Sequence, residues 1–99
     1  MTTQEVKRSV ARIVTQNTML AAFSTIECYG VPPGVTAELR EDLRELEKLE
    51  SSPLVAAAKS LVKAAIAHSI SPNETTYSEA RAMRDALGDL LIRTKEVKG

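Results

Sequence analysis

The sequence predicts an all-α fold: a compact four-helix bundle-like domain over residues 1–99, with a long or kinked first helix. Three observations lead there. The core material is aliphatic: the chain is 43% apolar, yet Phe23, Tyr29 and Tyr77 are its only aromatic residues. Alanine, which favours helix, is plentiful, whereas strands favour β-branched and aromatic residues. Cap and breaker residues divide the chain into helix-length pieces, and within each piece apolar residues recur at helical spacing. No alternating strand pattern, internal repeat or linker is present. The predicted helices cover about 3–29, 37–50, 53–70 and 76–95.

The first helix opens with a capping box, Thr2 to Glu5, in which hydroxyl and carboxylate each satisfy a free backbone N–H. Val6, Val10, Ile13 and Val14 form its apolar face, extended by Leu20 and Ala21. Gly30 ends it as a C′ residue, and Pro33 cannot continue a helix. A straight helix of this length spans roughly 40 Å, more than its neighbours can cover. The stretch "TQNT" (Thr15–Thr18) competes for backbone hydrogen bonds and is a natural break point. Beyond it Met19, Phe23 and Ile26 fall on the side of Arg8 and Arg12, opposite Val10. A kink near Asn17 folds these three into the core, while a straight helix leaves them as an exposed apolar patch.

The second helix starts at Thr36 and runs to Glu50. Leu39, Leu43, Leu46 and Leu49 make a narrow stripe on a charged cylinder, which belongs at the periphery. Ser52-Pro53 opens the third helix, with serine as N-cap and proline at N1, where the missing N–H is no loss. Leu54, Val55, Ala58, Leu61, Val62, Ala65 and Ile66 form a broad stripe, with Lys59 and Lys63 pointing away. The segment "SPNETTYSE" holds two competing capping boxes. The favoured arrangement has Thr76 capping the last helix, with one short turn from Ser71 before it. Ala80, Met83, Leu87, Leu90, Leu91 and Thr94 then share a face opposite Arg81, Asp85, Asp89 and Arg93.

Composition narrows the function. Thirteen basic and thirteen acidic residues cancel, which argues against non-specific DNA binding. The charge is uneven: residues 36–50 carry six acids and three bases, whereas 51–70 carry two lysines and no acid. A single cysteine, Cys28, suits a reducing compartment, and the N-terminus lacks an apolar signal core. No uninterrupted apolar run approaches the roughly 18 residues of a membrane span. These features lead to the expectation of a cytoplasmic protein without a membrane role.

Chemistry is sparse. His68 and Cys28 lie in different helices, without the neighbours that nucleophilic catalysis requires. The paired Glu-x-x-His motifs of a di-metal bundle are missing, as is a glycine-rich phosphate loop. No enzyme activity, cofactor, metal or small-molecule substrate is expected. The expected role is protein binding, as an adaptor, an assembly factor or an inhibitor of a larger complex; a small phage-type inhibitor is one form of it. Met19, Phe23 and Ile26, spaced i, i+4, i+7, would be anchors for a groove, with Arg12 and Gln16 as polar rim. One alternative is a nucleic-acid-associated regulator using Lys7, Arg8, Arg12, Lys59 and Lys63, although no aromatic residue is interleaved for base stacking. Another is a homodimeric structural module.

Overall fold

A computed structural model describes residues 3–17, 20 and 34–94 of the chain. Four helices make up the fold: α1 (Thr3–Gln16), α2 (Val35–Glu47), α3 (Pro53–Ile70) and α4 (Glu74–Arg93). They pack as a small all-α bundle. The hub is α3, which contacts each of the other three. Its seven buried residues, Leu54, Val55, Ala58, Leu61, Val62, Ala65 and His68, explain that position. Among the described residues α3 alone is long and apolar enough to cross a membrane, and here its apolar face is spent on its three neighbours.

The core is aliphatic as expected. Val6, Val10, Ile13 and Val14 of α1 meet Leu39 and Leu46 of α2, the α3 stripe, and Tyr77, Ala80 and Leu87 of α4. Leu43, Leu49, Ile66, Leu90 and Leu91 pack against this core at its margin. Met83 departs from the expected face and is 38% exposed. Tyr77 is buried.

The helix boundaries differ most from expectation. A continuous first helix to Tyr29 does not form: α1 stops at Gln16. Asn17 N–H still bonds the Ile13 carbonyl at 3.2 Å, but the Asn17 side chain turns toward the next segment of chain. Its Oδ1 accepts from Leu20 N–H at 3.1 Å, the N-cap geometry, and Leu20 is again helical and fully buried. Thr2, Gly30 and Pro33 lie outside the described residues.

The second helix is not capped by Thr36. Gly34 occupies that position with φ 77, a left-handed conformation that glycine adopts without a Cβ clash. Thr36 sits inside the helix and donates its hydroxyl to Ser69 Oγ at 2.8 Å, tying the start of α2 to the end of α3. The helix ends at Glu47, short of the expected Glu50. Ser52 caps α3 as expected, its Oγ accepting from Val55 N–H at 3.2 Å with Pro53 at N1.

In "SPNETTYSE" neither expected cap wins. Asn73 is the N-cap, and Thr76 is its N3 partner. Asn73 Oδ1 accepts from Thr76 N–H at 2.9 Å, while Thr76 Oγ1 accepts from Asn73 N–H at 3.2 Å. Asparagine caps as well as serine does, and threonine here plays the reciprocal role usually given to Glu or Gln.

Candidate functional site

Met19, Phe23 and Ile26, the expected anchors, lie outside the described residues. Arg12 and Gln16, expected to rim them, are among the described residues. Arg12 and Gln16 are exposed on the outer side of α1, opposite buried Val10, Ile13 and Val14. Arg12 Nη2 stands 3.7 Å from Glu45 Oε2 on α2, an exposed pair worth at most about 1 kcal/mol. That pair can open at little cost.

The residues of the nucleic-acid alternative do not gather into one free basic surface. Lys7 Nζ donates to the Thr94 carbonyl at 2.8 Å, at the negative end of α4, and thereby ties α1 to α4. Arg12 is partly neutralised by Glu45. Arg8 and Lys63 are exposed, while Lys59 is half-buried. The α2 face beside Arg12 carries Glu38, Glu41 and Glu45, which would repel phosphate.

Two buried polar nodes have no clear signature in the sequence. At the α1 break, Asn17 is 1% exposed and its Nδ2 donates to Asp42 Oδ2 at 2.9 Å. Burial is the main cause that raises the Asp42 carboxyl from its ordinary value; the Asn17 hydrogen bond lowers it, and Glu38, Glu45 and Glu41 raise it further. At the α3–α4 turn, His68 is fully buried. Its Nδ1 lies 2.8 Å from Thr76 Oγ1, and its ring meets Tyr77 edge-on at 5.9 Å. Burial lowers its pKa below the ordinary imidazole value, because the cation is poorly solvated there. Both nodes tie helices together, Asn17–Asp42 joining the end of α1 to α2 and His68–Thr76 joining α3 to α4.

A cleft of about 390 Å³ opens at one end of the bundle, where α1 starts and α4 ends. Val6, Pro53, Leu54 and Leu90 give it an apolar floor, with Glu50 and Thr94 on its rim. Among the described residues, no group of three or more His, Cys, Asp or Glu is placed to hold a metal ion. Cys28 lies outside those residues.

No protein-family model, no curated protein and no solved structure matches the chain. Its function is therefore read from its own surfaces.

Proposed function

We propose that this small helical domain acts by binding another protein, with Met19, Phe23 and Ile26 as apolar anchors and Arg12 and Gln16 as rim. The observation that carries this reading is the outer side of α1. Arg12 and Gln16 are exposed there, immediately before the chain leaves the helix, and the anchors come within ten residues of Gln16. The anchors would fill a groove on the partner, and the Arg12 guanidinium would fix orientation by exchanging Glu45 for a partner carboxylate. Such a role, as adaptor, assembly factor or inhibitor, needs no cofactor, and a reducing cytoplasm would suit the lone Cys28.

Phe23→Ala tests it. Binding to the partner should be abolished while helicity and Tm stay almost unchanged. A second reading takes Phe23 as a core residue, as expected of a kink near Asn17; the first helix does stop at Gln16. Phe23→Ala would then cost about 3–5 kcal/mol in a denaturation experiment and sink the anchor reading.

A further inference from the structure

Gly88 stands in the middle of α4, where only proline is a poorer helix former. Packing within the described chain does not require it. Among the described residues, a Cβ at this position would meet only Arg84 Nη1, at 3.2 Å, the far end of a flexible side chain, and no backbone. Arg84 is itself unusual. At 100° per residue it falls about 40° from Ala80, on the core-facing arc of α4. Its Nε is buried and has no hydrogen-bond partner among the described residues. The ion pairs between described residues, Arg12–Glu45, Arg44–Glu41 and Arg93–Asp89, leave it out. A guanidinium cannot shed its charge to escape that position. One turn beyond Gly88, Ile92 is 82% exposed.

Gly88 and Ile92 lie on one edge of the helix, next to Arg84. Arg81, Asp85, Gly88 and Ile92 have the spacing i, i+4, i+7, i+11 and lie within an arc of about 60°. The seam is self-complementary in an antiparallel sense. A two-fold axis between positions 86 and 87 sets Arg81 opposite Ile92 of a second copy, and Asp85 opposite its Gly88. We propose that two copies of this chain pair through this α4 seam, with the Arg84 guanidinium lying over Gly88 and receiving Asp85 of the second copy. The absent side chain at Gly88 leaves room for the Arg84 guanidinium beneath the incoming Asp85. Each Ile92 is covered by the aliphatic stem of the opposing Arg81. The two Arg–Asp contacts are related by symmetry, as an isologous interface requires, and their charge fixes the register. This extends the protein-binding reading to a second copy but shares no residue with the Met19–Phe23–Ile26 surface. Phe23→Ala should leave the α4 dimer intact, so the two readings fail separately.

The test is sedimentation velocity across a concentration series reaching about 1 mM, because a single-helix seam lies at the small end of stable interfaces. The wild-type chain should pass from its 10.7 kDa monomer mass to twice that value. Gly88→Leu and Asp85→Arg should each weaken association at least tenfold. The charge swap combining Arg84→Glu with Asp85→Arg should bring it back within threefold. Gly88→Leu should leave the monomer melting temperature equal or higher, which a purely intramolecular role for Gly88 would not allow. A wild-type chain that stays monomeric through 1 mM overturns the proposal. So does unchanged association in both single variants, of which Asp85→Arg alters an exposed residue and so spares the fold.

Discussion

The break after α1 and the turn between α3 and α4 are built around the same residue, an asparagine whose side-chain oxygen accepts an N–H three positions on. Asn73 bonds Thr76 N–H at 2.9 Å, and Asn17 bonds Leu20 N–H at 3.1 Å. Their surroundings differ. Asn73 is exposed, and every group in its box comes from the same few residues. Asn17 is buried, and its amide is spent on Asp42, 25 residues away on another helix. An exposed cap can be replaced by water when it is lost. A buried cap leaves the backbone N–H and the carboxylate without a substitute, so the same residue should matter far more at Asn17.

The largest effect expected from this contrast is therefore Asn17→Ala. It removes an N-cap and strips a donor from a half-buried carboxylate, at about 2–4 kcal/mol by urea denaturation. Asn73→Ala should cost about 1 kcal/mol, the ordinary worth of an exposed cap. Equal losses in the two variants would show that burial does not separate the two boundaries.

The two boundaries also differ in how legible they are from sequence. The third helix announces itself, because Ser52-Pro53 and the stripe from Leu54 to Ile66 need no information from elsewhere in the chain. At "SPNETTYSE" the turn is legible but its cap is not. Ser71, Asn73 and Thr76 are all competent; in the structure Asn73 caps, and Thr76 Oγ1, at the N3 position of α4, lies 2.8 Å from His68 Nδ1. Around Asn17 the weak helix formers mark a break point, but nothing local reveals that Asp42 will meet it. Gly34 is harder to read than Thr36 because a left-handed glycine N-cap has no side-chain signature, while the Thr36 hydroxyl is claimed by Ser69 across the bundle. Of the candidate surface, Arg12 and Gln16 are legible from helical phase alone. The α4 seam is not: Gly88 reads from sequence only as a costly mid-helix glycine, and the structure adds that, among the described residues, Arg84 Nη1 alone comes near its Cβ position.

The next contrast is in titration, because each boundary holds one ionisable group and the two respond to pH in opposite senses. His68 is held below its ordinary value of 6.5 in the folded chain. Below about pH 6.5 the unfolded chain then binds the proton that the folded chain resists, so stability falls as pH falls toward the folded pKa. The melting temperature should drop between about pH 7 and about pH 5.5. In His68→Gln that slope should flatten, although the variant itself is less stable at neutral pH. An unchanged slope would assign the pH sensitivity to another group.

The smallest effect belongs to Asp42, where the sign reverses. Its folded pKa is raised above 3.8, chiefly by burial and then by Glu38, Glu45 and Glu41 outweighing the Asn17 hydrogen bond. The folded chain therefore holds this proton more tightly than the unfolded chain does. Ionisation above the folded pKa costs stability, and that cost disappears as pH falls toward 3.8. Asp42→Asn keeps an oxygen to accept from Asn17 Nδ2 and removes the charge from an acidic helix face. At neutral pH the variant should unfold at slightly higher urea than wild type, and the gain should shrink as the pH approaches about 4. If Asp42→Asn instead destabilises at neutral pH, the carboxylate charge strengthens the Asn17 hydrogen bond by more than burial and its glutamate neighbours take away. The buried boundary would then owe its strength to that charge as well as to the asparagine cap.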